Sequence, residues 1–319
     1  RLLNAVRIYF FPGMDSRWLD VKLFDSFVLK KSAKIYNKYV LVFLGEYIPR
    51  SIKFFKDNGI KVYLDMPIGH YFYELYLQER GIKVGEKTER IPDYIDKSIR
   101  LADVIISPSD FVKITLDMAG FEDKDIRVVP FGVDMPKNFF QSEIENRLKN
   151  QEEVIYLFSG NVNYRKGIKF LLEAWKKFNF KNARLVVCGR IYKELKPELK
   201  KYKFKNVDFV GFVDVKEYYK KSHVFVFPTL LEGSSKAVYE AMSYGLPVIT
   251  TFNAGSIVKD GVDGFIVPVA DIDCLVSKML FFYENKDEII KMGQKAQKDV
   301  SLFSWERYAN EVIKNFYEI

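Results

Sequence analysis

A chain of 319 residues with 48% hydrophobic content can bury the cores of roughly two domains of ~150 residues each, which excludes a disordered or fibrous protein. No stretch reaches the ~18 uninterrupted apolar residues of a spanning helix, and Arg1-Leu2-Leu3-Asn4 lacks the pattern of a secretory signal, so a soluble cytoplasmic enzyme is expected. Fifty Lys and Arg against forty-two Asp and Glu leave a net charge of +8, which suits an anionic partner such as a nucleotide, a lipid headgroup or nucleic acid.

In chain order, the apolar runs Arg7–Phe11, Tyr39–Leu44, Lys61–Leu64 and Val104–Ser107 predict strands, with helices at Ile52–Asn58 and Tyr94–Arg100. Continuous hydrophobic strands joined by helices predict a parallel sheet covered on both faces, with right-handed crossovers. His70, in Pro67-Ile68-Gly69-His70, follows a strand end, where open α/β sheets bind ligands; a structural loop histidine is the alternative. The polar stretch Met135–Glu153 reads as a linker. The rhythm then restarts with strands at Val154–Ser159, Arg184–Cys188, Val207–Val210, Val224–Phe227, Pro247–Thr251 and Gly264–Val267. The expected fold class is therefore α/β, with two doubly wound domains in tandem. Cys188 and Cys274 fall in segments that read as core, and two unclustered cysteines make neither a disulfide framework nor a zinc site.

Two segments carry the chemistry. Phe158-Ser159-Gly160-Asn161-Val162-Asn163-Tyr164-Arg165-Lys166-Gly167-Ile168 reads as strand, glycine turn, two adjacent cations and a helix start. Arg165 offers planar, multi-donor contacts and Lys166 a point charge, a combination suited to a diphosphate. It is not a Walker loop, which needs Gly at position 165 and Ser or Thr at position 167. A solvated basic turn is the plainer reading. The second segment, Pro228 through Ile249, reads as a strand end, a Gly/Ser turn and a helix starting near Ser234 or Ser235 and ending at Gly245. A helix N-terminus attracts anions, and Gly233 lets the backbone approach a ligand. Glu232 precedes the helix and Glu240 lies within it; one carboxylate could accept from sugar hydroxyls and the other from ribose hydroxyls. The plainer reading makes them a cap-region carboxylate and a solvated helix residue, although Glu240 sits among Ala, Met and Val and needs partners there.

Other features read as structural. Asp271-Ile272-Asp273 superficially matches a metal-binding D-x-D, but between a strand and a helix it reads as a cap, and no metal site is expected. His223 precedes a buried strand. Tyr and Phe are spread through the elements rather than clustered as a base-stacking platform. The lysine-rich Lys193–Lys205 is the best support for a nucleic-acid-binding reading, but it also contains Glu194 and Glu198, and a solvated helix face or a membrane-surface patch explains it as well.

Together these segments resemble glycosyltransferase family 4, the retaining GT-B enzymes. The resemblance rests on Ala102-Asp103-Val104-Ile105-Ile106-Ser107-Pro108-Ser109 with Val128-Val129-Pro130-Phe131-Gly132-Val133-Asp134, on Arg165-Lys166-Gly167-Ile168, and on the E-x7-E run from Glu232 to Glu240 followed by Gly245-Leu246-Pro247-Val248-Ile249. It covers the chain from about Ala102 onward. It implies two Rossmann-like domains facing each other across a cleft: residues 1–138 as the acceptor-side domain and 139–301 as the donor-binding domain, with a helix over 302–319 completing the first. The Phe303–Val312 segment resembles the family's last helix, with Trp305 expected in the core.

The resemblance implies that Arg165 and Lys166 bind the donor diphosphate, Glu240 the ribose and Glu232 the transferred sugar, with Gly160, Gly233, Ser234 and Ser235 lining the donor site. Asn161 stands where relatives often carry Arg. His70 resembles the first-domain histidine of many relatives. The family's opening glycine-rich loop has its nearest candidate in Pro12-Gly13-Met14-Asp15, and native residues missing ahead of Arg1 would account for the difference.

The implied reaction moves a sugar from a UDP- or GDP-sugar to an acceptor hydroxyl, with retention and without a metal or other cofactor. The acceptor would be a saccharide or a lipid-linked saccharide in polysaccharide, lipopolysaccharide or glycolipid synthesis, and peripheral association with the inner membrane face is a further expectation. The rival readings are a GT-B sugar-nucleotide epimerase or phosphorylase and a basic nucleic-acid-binding protein, the last disfavoured.

Overall fold

A computed structural model describes residues 24–31, 39–43, 48–85, 92–137, 143, 145, 146, 148, 153–178, 181–202 and 204–317. The expected strand Arg7–Phe11 and the loop Pro12–Asp15 lie outside them. The described residues fall into two compact units, one drawn from 1–67, 87–107 and 120–127, the other from 68–86, 108–119 and 128–319.

The first unit contains a sheet ordered β1 (Tyr39–Phe43), β2 (Lys61–Asp65), β3 (Val104–Ser107) and β4 (Asp125–Val128). The β1–β2 and β2–β3 pairings are parallel. Residues 24–31 form helix α1, followed by α2 (Pro49–Asp57) and, later in the chain, α4 (Pro92–Leu101). α2 starts three residues earlier than its apolar pattern predicts because Pro49 suits the first helical turn, where no amide donor is needed. Ile52 and Phe55 of α2 and Ile95 and Ile99 of α4 are buried with Val62, Leu64 and Ile105 of the strands.

The second unit is built on a six-stranded sheet: β5 (Val154–Ser159), β6 (Ala183–Cys188), β7 (Val207–Gly211), β8 (Val224–Phe227), β9 (Val248–Thr251) and β10 (Gly264–Val267). Its spatial order is β10-β9-β8-β5-β6-β7, and every adjacent pair is parallel. The chain thus winds one way from β5 to β7 and then returns to the other side of β5 with β8. That reversal between β5 and β8 is the topological switch point, at whose carboxyl end open α/β sheets bind ligands. Helices α6 (Ile168–Phe178), α7 (Lys196–Leu199), α8 (Lys216–Lys221), α9 (Lys236–Ser243), α10 (Ile272–Glu284), α11 (Lys286–Val300) and α12 (Trp305–Tyr317) complete this unit, with α6 packed on α10 and α9 on α11. Tyr156, Trp175, Phe225, Phe227 and Phe282 are among its largest buried side chains. Helices α3 (Tyr71–Glu79) and α5 (Asp110–Met118), which the apolar pattern did not pick out, also group with this sheet.

Four expectations about structural residues resolve as follows. Asp271 caps α10, accepting from the Cys274 amide at 2.8 Å, and Asp273 pairs with Lys177. Cys188 is buried, its thiol pushed up to about 12 by desolvation, but Cys274 is only half-buried because it lies in the first turn of α10. Trp305 is not core: at 37% exposure it lies at the start of α12, against Phe131 and Tyr308 and near the Lys236 ammonium. His223 is fully buried and structural, its Nδ1 accepting from the Ile155 amide at 2.8 Å.

A buried acid in this unit yields a stability prediction. Asp263 is 0% exposed and accepts from the Lys259 amide at 2.8 Å, leaving Oδ2 without a hydrogen-bond partner. Burial, and then the nearby Asp299 carboxylate, raise its pKa from 3.8 to about 6 against the opposing pull of Lys259. Because the folded-state pKa is the higher one, the stability from holding this proton is present below about 3.8 and is lost as pH rises towards about 6. Asp263→Asn keeps the accepting oxygen and stays neutral, so it is expected to stabilise the protein at pH 7 by about 1–2 kcal/mol and to flatten stability between these pH values. Urea unfolding at pH 4 and pH 7 checks this; an unchanged difference between the two pH values would refute it.

Candidate active site

The two sequence segments singled out for their chemistry leave the sheet at the switch point, one after β5 and the other after β8. After β5 the chain turns at Gly160 and forms a single 3-10 turn, Tyr164–Lys166. Asn163 caps the turn, its side-chain oxygen accepting from the Lys166 amide at 3.1 Å. Gly167 closes it at φ 72°, with its Cα so near Pro228 that a Cβ would lie 1.8 Å from the Pro228 carbonyl oxygen. This close approach brings the two loops together, and α6 then runs away from the site. Two carbonyl contacts reinforce the joint: Leu230 donates its amide to Arg165 O at 2.8 Å, and Thr229 its hydroxyl to the same oxygen at 3.0 Å.

The joint creates a charge cluster. Arg165 Nη1 donates to Leu231 O at 2.7 Å and to Glu232 Oε1 at 2.9 Å. Lys166 Nζ forms an ion pair with the same carboxylate oxygen and lies 5.2 Å from the centroid of the Phe227 ring. Thr229 Oγ1 is 3.3 Å from that oxygen. Burial lowers the Lys166 pKa, with the Glu232 carboxylate opposing and Arg165 reinforcing the shift. Two cations against one carboxylate leave an excess positive charge in a site where the side chains of Lys166 and Glu232 are only 14% and 12% exposed. Charge is less screened there than at the surface, so an anion entering the cluster gains more.

Helix α9 begins directly after this loop. Its first turn holds no acidic side chain, Lys236 stands at its first position and its N-cap Ser235 makes no side-chain cap, so the positive end of the helix dipole stays uncompensated. Ser235 differs from expectation in one respect: its amide is engaged, donating to Ala254 O at 2.9 Å, and Ser234 donates its hydroxyl to Tyr239 at 3.1 Å. Gly233 is buried, its carbonyl accepting from Ser109 Oγ at 2.5 Å.

Glu240 is not part of the Arg165–Lys166–Glu232 cluster. It lies further along α9, half-buried, with its carboxylate accepting from the Tyr219 hydroxyl at 3.3 Å. Desolvation, and then Glu240 itself, hold the Tyr219 proton in place well above the usual phenol range, so the tyrosine stays a donor. His70 caps α3, its Nδ1 accepting from the Phe72 amide at 3.3 Å, and its own amide donates to Thr115 Oγ1 at 2.9 Å. It is buried and structural in these contacts, yet adjacent to the site, because the preceding Gly69 donates its amide to Glu232 O at 3.1 Å. Of the cluster's supports, Thr229 and Asn253, whose Nδ2 bonds Leu230 O at 2.7 Å, gave no sequence signal, whereas Asn163, just ahead of the turn, fits a capping position.

Among the described residues, no three His, Cys, Asp or Glu side chains come together as a metal site, and no helix is long and apolar enough to cross a membrane.

The chain is similar to known proteins in both sequence and fold. The family model described as Glycosyl transferases group 1 matches residues 139–299. The capsular polysaccharide biosynthesis glycosyltransferase CapM of Staphylococcus aureus is 28% identical over 250 residues, 72% of this chain and 60% of CapM. Alignments to three further curated relatives span 58%, 45% and 46% of their lengths, so the chain covers about half of these proteins. In fold, the chain is similar to sucrose-phosphate synthase from Thermosynechococcus elongatus (19% identity, TM-score 0.75, 93% of this chain and 78% of the other). It is also similar to Anabaena HepE in complex with UDP and glucose (13% identity, TM-score 0.70, 92% and 81%). The two parallel-sheet α/β domains are those of the GT-B architecture.

Proposed function

Because the chain belongs to the glycosyl transferases group 1 family, we propose that it transfers a sugar from a UDP- or GDP-sugar to an acceptor hydroxyl, with retention at the transferred carbon. The observation that carries this reading is the paired cation site of Arg165 and Lys166 on Glu232, at the switch point of the second sheet and beside an uncompensated helix N-terminus. The difficult step is cleavage of the C1–O bond, as negative charge grows on the departing diphosphate. Fixed cations and backbone dipoles aimed at that charge stabilise the transition state more than the ground state. Arg165 and Lys166 take the diphosphate in this reading, and Glu232 turns to the hydroxyls of the transferred sugar. Glu240, with Tyr219 beside it, takes the ribose. His70, held by α3 next to the Glu232 loop, contributes to the sugar side of the site.

Retention fits same-face attack, with a donor phosphate oxygen receiving the acceptor proton, so no protein base is assigned. The role for which CapM is named supports an acceptor in capsular or related polysaccharide synthesis, and the UDP and glucose held in the HepE complex support a UDP-sugar donor. Another relative, an Escherichia coli galactosyltransferase 36% identical over 75 residues, is named for a diphosphoundecaprenol-linked acceptor, which supports a lipid-linked saccharide and work at the inner membrane face.

A thermal-shift panel of UDP- and GDP-sugars tests the donor class: a ligand at ~100 times its dissociation constant adds ~2.7 kcal/mol of stability. A panel with no shift for any nucleoside diphosphate would overturn the reading. Since the chain's own cations supply the positive charge here, excess EDTA is expected to leave turnover of the selected donor within about twofold, whereas loss of one dominant electrostatic donor costs ~10²-fold. Complete loss, restored by a divalent cation, would contradict that.

A further inference from the structure

The Glu232 loop is held by a template that reaches it from outside both chemistry-bearing segments. Thr251 donates its hydroxyl to Thr229 O at 2.6 Å. Asn253, 3% exposed, bonds the loop twice: Nδ2 donates to Leu230 O at 2.7 Å, and its main-chain carbonyl accepts from the Glu232 amide at 3.1 Å. Gly255, at φ 58°, ends this turn so close to the loop that a Cβ would lie 1.9 Å from Gly233 O. Segment 251–255 therefore bonds the loop on either side of the Glu232 side chain. Asn253 is anchored in turn by Tyr73, whose hydroxyl accepts from Nδ2 at 3.1 Å and lies 3.5 Å from Oδ1. Tyr73 comes from α3, 180 positions earlier in the chain, and its ring packs edge-on against Phe111 of α5.

We propose that Asn253 and Tyr73 are positioning residues for the glycosyl transfer: the Tyr73 hydroxyl anchors the Asn253 amide, and that amide sets where Glu232 stands relative to Arg165 and Lys166. The inference rests on the donor-site reading above. Leu230 O can only accept, so it fixes the amide nitrogen on its side, and the second hydrogen of that nitrogen reaches the Tyr73 oxygen. A carboxylate of the same shape would set an acceptor against the Leu230 carbonyl, while the Tyr73 hydroxyl could still donate to it. Small displacements of a reacting constellation cost turnover steeply, up to ~10²-fold for ~1 Å, while ground-state binding of a nucleotide anchored elsewhere changes little.

The test uses Tyr73→Phe, which removes only the hydroxyl, and Asn253→Asp, which reverses the bonding of the side-chain nitrogen. Turnover of the donor selected by the sugar-nucleotide panel and the Kd of the corresponding nucleoside diphosphate are measured in each folded variant, with Lys166→Ala alongside. The expected result is a fall in kcat of about 10-fold for Tyr73→Phe and about 10²-fold for Asn253→Asp, with Kd within about twofold of wild type. Normal kcat in both variants while Lys166→Ala is crippled overturns the positioning role alone. A lowered Tm with kcat retained also overturns it, since it leaves only structural support. Normal kcat in Lys166→Ala as well overturns the donor-site reading itself.

Discussion

Lys166→Ala is expected to lower turnover by on the order of 10²–10³ while the protein folds as before. The substitution removes one ammonium from a cluster in which Arg165 and Lys166 share Glu232, and it leaves the turn glycines Gly160 and Gly167 in place. Because the charge on the diphosphate grows during bond cleavage, the loss falls mainly on kcat, with a smaller change in donor affinity; equal losses in binding and in kcat/KM would show uniform binding instead. Arg165 does not simply take over, since it is committed to Leu231 O as well as to Glu232. Glu240→Ala provides the contrast: in the ribose-binding role proposed for Glu240 it is remote from the breaking bond, so weakened donor binding is expected to account for most of its loss. Steady-state kinetics with nucleoside diphosphate titrations separate the two. Near-normal turnover and affinity in folded Lys166→Ala would remove the diphosphate assignment.

Gly167→Ala is expected to be the most damaging small substitution near the site, destabilising the protein by on the order of 3 kcal/mol and abolishing most activity. Two separate costs apply. The backbone at φ 72° is one that a side chain rarely adopts, and the added methyl would sit 1.8 Å from the Pro228 carbonyl oxygen. The loops after β5 and β8 must then separate, which breaks the Arg165 carbonyl contacts to Thr229 and Leu230. Urea denaturation should show a lower midpoint at unchanged m-value. A midpoint equal to wild type would mean that the two loops do not meet as described.

Much of this architecture could be read from the sequence, for physical reasons that differ by element. Apart from the half-buried β7, the strands of the second sheet are largely buried on both faces, so they appear as continuous apolar runs; Val154–Ser159, Val224–Phe227 and Gly264–Val267 match the observed strands residue for residue. Helices α3 and α5 escaped because their polar and aromatic residues, such as Tyr71-Phe72-Tyr73-Glu74 and Asp110-Phe111-Val112-Lys113, carry a weaker period than the flanking strands. Arg165, Lys166 and Glu232 stood out one by one through their residue types and neighbouring glycines, but their pairing was not foreseen, because the geometry that joins them comes from strand order, which no local pattern encodes. Tyr73 and Asn253 left no trace for the same reason: their bond spans 180 positions, and neither residue is unusual in its local setting. Trp305 shows the opposite error, a large aromatic side chain assigned to the core that lies at a helix start with a third of its surface open.

The placement of β8 beside β5 also bears on how the protein is born. Arg165 and Glu232 are 67 positions apart, so at ~5–20 residues per second a ribosome adds the carboxylate roughly 3–13 s after it adds the cation. During that interval β5 can pair with β6 as soon as the latter is made, but its other side has no neighbour. The strand that becomes the middle of the finished sheet is therefore, in the nascent chain, an apolar edge, Val-Ile-Tyr-Leu-Phe-Ser, with its amides and carbonyls open to any passing strand. Yield of soluble protein should accordingly depend on what shields this segment during synthesis, through chaperone capacity or lower expression temperature, more than on the stability of the completed fold.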